Sequence, residues 1–329
     1  SLGAIIRRLM PFPVRGAAVI KTLTDRFRYP RHGPGELWEH VARIIQTQGG
    51  AIRMGARAVA FERDAKRLTS VTVEGAGGGE TICGEHFIST MPLADLVPAL
   101  NPGAPAGVVA SARALRFRDF ITVALILDQA QVFPDNWIYI HDPRVRVARI
   151  QNFKNWSADM VPDPRYTMLG LEYFCTQGDS IWSSSDADLI SLAKEELAAL
   201  GLAGRAAVID GTVVRQPKAY PVYDHGFREN VARVRSFLEV EVPNLQVAGR
   251  NGMHKYDNQD HAMLTGLMAA RNIMGGSFDL WRVNSDAEYL EDEPDAAAEG
   301  GRIQPFPLVH TRPAPAVAGP DLAAVPEDA

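Results

Sequence analysis

The chain has 329 residues, 46% hydrophobic and 22% charged, the balance of a soluble globular protein long enough for about two domains. Its net charge of −5 is uneven: from Asn284 to Ala329 ten acidic residues face only Arg302 and Arg312, which leaves the rest slightly basic. Neither part has the lysine–arginine density of a nucleic-acid surface, and no apolar run reaches membrane-spanning length, so nucleic acid and an integral membrane segment are excluded as partners.

Residues 2–10 read as a helix, broken by Pro11 and Pro13, and a second helical piece runs over 17–27. Arg7, Arg8 and Arg15 suit a solvated helix face, with a membrane-surface helix as the alternative. The Pro–Gly turn from Tyr29 through Gly33-Pro34-Gly35 leads into a helix over 36–48, closed by Gly49-Gly50. Strands are expected at 51–54 and 58–63, then a hairpin over 68–83. Gly75-Ala76-Gly77-Gly78-Gly79-Glu80 sits between its two β-rich runs and reads as the turn. His86 to Pro92 is a short buried strand that stops at proline.

Residues 100–225 change character. Strands are expected at 120–127 and 168–174, and a strand pair at 137–140 and 145–151 around His141-Asp142-Pro143. An amphipathic helix covers 186–200, with Leu189, Leu192, Ala193, Leu197 and Leu200 on one side and Gly201 after it. A strand at 207–215 precedes Ala219-Tyr220-Pro221-Val222-Tyr223, which Pro217 and Pro221 hold extended as an edge strand or connector. Tyr139, Arg149, Asn152, Trp156, Glu172 and Tyr173 lie in this block and each reads first as structural. A helix over 227–238 leads to a strand at 245–248. Beyond residue 284, Ala, Pro, Glu and Asp dominate, the composition of a disordered tail.

Cys83 and Cys175 lie in β-like apolar runs and read as small buried hydrophobes of a reducing compartment, hence a cytoplasmic protein. Neither has a C-x-x-C partner, and His254 and His261 are seven apart, so no metal site is expected. No Ser-His-Asp set stands out, and no catalytic residue is identified.

Chemistry concentrates between Val247 and Met263. An apolar strand runs into Gly249-Arg250-Asn251, crosses a polar loop and enters a helix near Gln259. That helix continues apolar through Met263, Leu264, Leu267, Met268, Ala270 and Ile273. Glycine permits close backbone approach, and the N–H groups of a first helical turn point at a ligand. Alternatively, this is an ordinary strand–loop–helix connection capped by Asn258 or Asp260.

The stretch resembles the C-terminal FAD-binding motif of the flavoprotein superfamily of amine oxidases, protoporphyrinogen oxidases and UDP-galactopyranose mutases. Tyr256-x-Asn258-x-Asp260 is closest to the mutase-like branch. The resemblance extends over roughly residues 29–283 through the Pro–Gly turn and helix at 29–38 and the Ser-Thr-x-Pro strand end at 89–92. It implies FAD as cofactor, with Gly249, Arg250 and Asn251 serving the phosphates. Asn258, Gln259, Asp260, His261 and Met263 would lie under the flavin or its ribityl. Val59 would touch the adenine end, and the strand ending at Pro92 would rejoin the cofactor sheet. Arg149, Tyr220 and Tyr223 are its candidates for contact with a small-molecule substrate, with Arg149 and Arg31 as the cations for a substrate diphosphate in a mutase.

The implied fold is mixed α/β: an incomplete Rossmann-like FAD-binding domain interleaved with a β-sheet substrate domain. Its divisions are 1–28 (helical, substrate domain), 29–99 (FAD domain), 100–225 (substrate domain), 226–283 (FAD domain) and 284–329 (tail). Such flavoproteins open with a strand, a G-x-G-x-x-G turn and a helix, which this sequence lacks. The expectation is a C-terminal portion missing its N-terminal FAD-binding segment. Three functions follow: an FAD-dependent oxidoreductase, a mutase-like enzyme acting on a nucleotide sugar, or a non-catalytic fragment that cannot hold FAD by itself.

Overall fold

The structure is a computed structural model that describes residues 29–75 and 77–284. The expected helices over 2–10 and 17–27, the tail beyond 284 and Ala76 of the hairpin turn lie outside the described residues.

The chain begins with α1 (Pro34–Thr47), which has Pro34 at its first turn, where a missing N–H costs nothing. A meander follows: β1 (Arg57–Asp64), β2 (Arg67–Gly75) and β3 (Gly78–Cys83). Pairing of Gly75 with Gly78 makes the glycine-rich string a hairpin turn, as expected. Next come β4 (Phe87–Ser89), α2 (Leu93–Leu96), β5 (Leu100–Asn101) and α3 (Ala106–Ala114). A second group holds β6 (Phe117–Leu127), β7 (Trp137–Tyr139), β8 (Arg149–Asn152), α4 (Phe153–Trp156), β9 (Thr167–Cys175), α5 (Asp186–Ala199) and β10 (Val208–Pro221). The chain then returns through α6 (Phe227–Glu241), β11 (Leu245–Val247), α7 (Gly249–Gly252) and α8 (Gln259–Ile273). None of these helices is long and apolar enough to cross a membrane.

Two hydrophobic cores form within one compact unit. The first lies between the sheet β3-β2-β1-β5, the two-stranded parallel sheet β4–β11, and helices α2, α3 and α6. Leu68, Leu93, Leu96, Ala112, Val234 and Val242 are fully buried there. The second belongs to the sheet β10-β6-β9-β8-β7, whose described pairings are all antiparallel. Alternate residues of β6 (Ile121, Val123, Leu125) and β9 (Leu169, Leu171, Tyr173) face α5, which contributes Leu189, Ala193 and Leu197. The other face of this sheet is not covered by α5.

Several expectations need correction. Residues 51–54 form a loop, not a strand, because the ladders of β1 run to β2 and β5 and leave that segment no partner. Residues 145–148 are likewise irregular. The Arg146 and Val147 N–H groups go instead to the Glu196 carboxylate on α5, at 2.6 and 3.1 Å. The strand of 207–215 continues to Pro221 and absorbs the connector, so Ala219-Tyr220-Pro221 is the end of edge strand β10. The strand expected to reach Pro92 stops at Ser89. Cys175 is buried but Cys83 is exposed, because β3 is an edge strand exposed throughout. Tyr139 is exposed rather than core. The apolar run of α8 is only partly covered: Thr265 and Ala269 are buried, whereas Met263, Leu267 and Ala270 are exposed.

Glu196 is 5% exposed and also accepts the Tyr173 hydroxyl at 2.9 Å, so three donors, two of them buried, depend on one carboxylate. Glu196→Leu should therefore cost about 3 kcal/mol or more, read as a lowered urea midpoint. Adding Tyr173→Phe, which removes one stranded donor, should restore part of that loss.

Candidate functional site

The two cores are sewn together where the end of β10 meets the loop between β11 and α8. The β10–β6 register slips between Gln216 and Tyr220, with Lys218 in the left-handed region at φ 52°. This bulge is held from inside by buried Asp119, which accepts from the Lys218 N–H at 2.7 Å and the Gln177 N–H at 2.6 Å. The Lys218 ammonium reaches both carboxylate oxygens of Asp95 on α2, at 2.6 and 2.5 Å. The bulge thereby exposes two carbonyls to the motif loop: Lys218 O accepts from Asn251 Nδ2 and Ala219 O from Arg250 Nη1, both at 3.1 Å.

Arg250 is the centre of this seam. Its Nε donates to Asp257 O at 2.8 Å. Its guanidinium carbon lies 4.8 and 5.0 Å from the ring centroids of Tyr220 and Tyr256, which stack on each other at 5.6 Å and 16°. Arg250 has no carboxylate ion-pair partner among the described residues, so carbonyls and aromatic faces compensate its charge.

Tyr220 also makes edge contacts with Phe120 and Phe174 on the uncovered face of the second sheet. Across that face the registers bring Tyr139, Arg149, Glu172 and Thr122 into one row. Glu172 is buried, pairs with Arg149 Nε and accepts from Gln151 Nε2 at 3.1 Å. Gln151 Oε1 in turn takes the Trp156 N–H at 2.9 Å. Burial works against the Arg149 charge, but the Glu172 carboxylate outweighs it and raises the guanidinium pKa. Trp156 stacks on Trp137 at 5.2 Å and on Tyr29 at 5.1 Å. Phe153 lies over Gly170, where an added Cβ would stand 2.7 Å from its ring; a larger residue would push the ring off the sheet.

The motif loop itself is buried and polar. His254, 2% exposed, meets Phe117 edge-on at 4.9 Å. Asp257 is buried, and burial pushes its carboxyl above the usual range. Lys255, whose pKa burial lowers, donates to Trp281 O at 2.9 Å and to Val283 O; Asn284 Nδ2 caps Tyr256 O at 2.9 Å. Asn251 Oδ1, His254 Nδ1 and Asp257 Oδ2 are buried with no hydrogen-bond partner among the described residues, which marks a polar interior.

The sequence-derived candidates fall into three groups. Arg250, Asn251 and Tyr220 meet at the seam, and Arg149 shares the open face with Tyr220. Tyr223 stacks on Phe227 at 4.3 Å and its hydroxyl accepts the Tyr256 N–H at 2.6 Å; burial raises its pKa. The second group is the start of α8: Asn258, Gln259, Asp260 and Met263 are exposed, and His261 Nδ1 accepts the Asn258 N–H at 3.3 Å. Gly249 opens α7 next to Arg250, and the others stand elsewhere. Val59 occupies a bulge in β1, between the pairs Ala58↔Val73 and Ala60↔Thr72, and Pro92 precedes α2. Arg31 pairs with Asp159 at 3.1 Å.

Sequence reasoning missed Asp95, Asp119, Lys218 and Gly252. A Cβ on Gly252 would stand 2.7 Å from Ser89 O, so the α7 turn can sit on the end of β4 only with glycine there. The spacing Gly249-Arg250-Asn251-Gly252 was the available signal. The others act through long-range contacts that no local pattern announces.

The residues fit FAD unevenly. The exposed first turn of α8 suits an electron-rich ring edge. At the phosphate end, the Gly249 N–H is taken by Thr265 Oγ1 at 3.0 Å, and Arg250 and Asn251 are bonded to carbonyls. Among the described residues no group of three or more His, Cys, Asp or Glu could hold a metal.

No protein-family model matches the sequence, and no curated protein matches it. Solved structures do. A reduced UDP-galactopyranose mutase superposes with a TM-score of 0.66 at 20% identity, covering 79% of this chain and 55% of its own. A protein of Exiguobacterium sp. 255-15 described as a protoporphyrinogen oxidase superposes with a TM-score of 0.51 at 18% identity, covering 68% and 49%. The chain thus spans about half the length of these two structures.

Two outcomes are expected. Burial pushes the His254 imidazole below its ordinary pKa of 6.5, against the opposing pull of the Val222 carbonyl and Asp224. The folded state therefore prefers the neutral ring: stability is flat above about pH 6.5 and declines as pH falls from there toward the depressed folded-state value. His254→Gln should flatten that slope in urea midpoints measured against pH. Gly252→Ala should destabilise by roughly 1–3 kcal/mol, since the clash is with backbone. The chain has the mixed α/β fold shared by the mutase and the oxidase-like protein.

Proposed function

We propose that this protein is an FAD-dependent oxidoreductase of the amine oxidase and protoporphyrinogen oxidase kind, acting on a small-molecule substrate in the cytoplasm. The observation that carries the reading is the seam: Arg250, Tyr220 and Tyr256 join the glycine-arginine motif to the open sheet face. A cofactor at the start of α8 and a substrate on that face would then adjoin.

Asn258, Gln259, Asp260, His261 and Met263 would hold the flavin ring and ribityl, with Val59 and the strand end at Pro92 toward the adenine half. When bound, FAD supplies hydride transfer. The helix start of α8 favours negative charge placed beside it. Tyr220 and Arg149 orient the substrate, with Glu172 holding the Arg149 guanidinium charged and in place. Tyr223 fixes the motif loop through the Tyr256 N–H.

The higher TM-score with the mutase and the Tyr256-x-Asn258-x-Asp260 pattern favour a second reading, a mutase-like enzyme acting on a nucleotide sugar. Arg149 would then face the substrate diphosphate. Because the groups at the phosphate end are already engaged, we further propose that this chain alone holds FAD weakly and that a separate FAD-binding segment completes the cradle.

The test is the flavin absorption band of the purified chain titrated with FAD, before and after gel filtration. A perturbed band that is largely lost on the column is expected. Met263→Glu should weaken the perturbation about tenfold, a change of about 1.4 kcal/mol, whereas Ile209→Glu, exposed on β10, should leave it unchanged. An unperturbed band at saturating FAD would sink the flavin reading; a stoichiometric band retained through the column would sink the incomplete cradle.

A further inference from the structure

Asp257 and Asn284 touch, yet each keeps a buried oxygen without a hydrogen bond. Asn284 Nδ2 donates to Asp257 Oδ1 at 3.2 Å and to Tyr256 O at 2.9 Å. The other oxygens of the same two groups, Asp257 Oδ2 and Asn284 Oδ1, are buried with no partner among the described residues. Turning the amide over does not relieve this, because the Tyr256 carbonyl only accepts and the amide nitrogen must face it. An ionised Asp257 would thus leave two acceptors of one bonded pair with no donor between them. Asp257 is 2% exposed, so water does not meet that cost.

No charge around Asp257 meets it either. Lys255, on the motif loop, spends its ammonium on Trp281 O at 2.9 Å and on Val283 O. Arg250, on α7, bonds Asp257 O and Ala219 O and lies against Tyr220 and Tyr256. His261, on α8, spends Nδ1 on the Asn258 N–H. Tyr223, after β10, gives its hydroxyl oxygen to the Tyr256 N–H. Asp279, ahead of the short turn Leu280–Arg282, adds negative charge near Lys255. Among the described residues Asp257 makes no ion pair.

A single proton satisfies both orphans. A protonated carboxyl has one O–H donor and keeps an acceptor. With the proton on Oδ2, the O–H donates to Asn284 Oδ1 while Asn284 Nδ2 donates back to Asp257 Oδ1, closing an acid–amide ring. Burial favours the same form. It pushes the carboxyl above its usual range, against smaller opposing pulls from Asn284, Lys255, His261 and Arg250.

We infer that Asp257 is a neutral carboxylic acid, paired in a two-bond ring with Asn284, and that this ring makes it a positioning residue for Tyr256 at the seam. The Tyr256 backbone is then held on both sides, its N–H by Tyr223 at 2.6 Å and its carbonyl by Asn284 at 2.9 Å, with its ring stacked on Tyr220. A neutral Asp257 also leaves the Arg250 charge in force, whereas a carboxylate in the same loop would offset it. Because the folded-state value is raised, the stabilisation is complete below the ordinary aspartate pKa of about 3.9 and is lost as pH rises through the folded-state value. The assignment holds whether or not the motif binds flavin.

The experiment is difference infrared spectroscopy of the purified chain carrying isotope-labelled aspartate, followed across pH, with Asp257→Asn as the reference. At about pH 5.5 an ordinary aspartate is almost fully ionised. There the parent should keep a protonated-carboxyl C=O band that moves with the label and is missing from the variant. An asparagine at 257 can close the same ring with two amide bonds and no titrating proton. The urea midpoint of Asp257→Asn should therefore gain on the parent's as pH rises through the titration of that band. Asn284→Ala should shift the band, since the O–H loses its acceptor. Absence of the band from the parent at this pH would overturn the inference, as would a midpoint difference that stays constant with pH or a band unmoved by Asn284→Ala. If Asn284→Ala does not fold, the parent and Asp257→Asn decide the question by themselves.

Discussion

The structure depends on a guanidinium that, among the described residues, has no carboxylate ion-pair partner. Arg250 lies against the stacked pair Tyr220 and Tyr256 and bonds two backbone carbonyls, one from each side of the seam. Removing such a group from water is costly unless its donors are met, and here they are met by Ala219 at the end of the second sheet and Asp257 in the motif loop. The two cores consequently share one polar joint. Lys218 reinforces it by linking the same strand end to α2 through Asp95, and Asp119 keeps the bulge that aims both carbonyls.

How much of this was legible depends on the range of the interaction. The strand, glycine and helix start at 245–263 were readable because their signals are local: apolar periodicity, a glycine, a polar first turn. The hairpin at 67–83 and helix 186–199 were readable for the same reason. Residues 145–148 were not, because a buried carboxylate 49 or 50 positions away took the Arg146 and Val147 N–H groups from the expected ladder. Of the site, the motif and Tyr220 were visible, but Asp95, Asp119 and Lys218 were not. Their partners lie 33 to 123 residues distant, and isolated acids and lysines carry no pattern.

Exposure in this molecule is also informative. The second sheet buries one face under α5 and keeps on the other a continuous set of aromatic and charged groups, tied by Glu172 to Arg149 and Gln151. Phe153 can cover part of that face only because residue 170 is glycine. The first core is built differently: Ile88 of its parallel pair and Leu267 of α8 stand exposed.

Trp137 and Trp156 add a consequence of their own. Their rings lie 5.2 Å apart and nearly parallel, 6° between planes, at the rim of the open sheet face. Indoles so arranged couple as a dimer of transition dipoles, and their shared absorption differs from that of Trp38, Trp182 and Trp281 elsewhere in the chain. The protein carries its own optical gauge, set at the rim of the open sheet face. A ligand that slides between or tilts these rings announces itself in the circular dichroism of the unlabelled molecule.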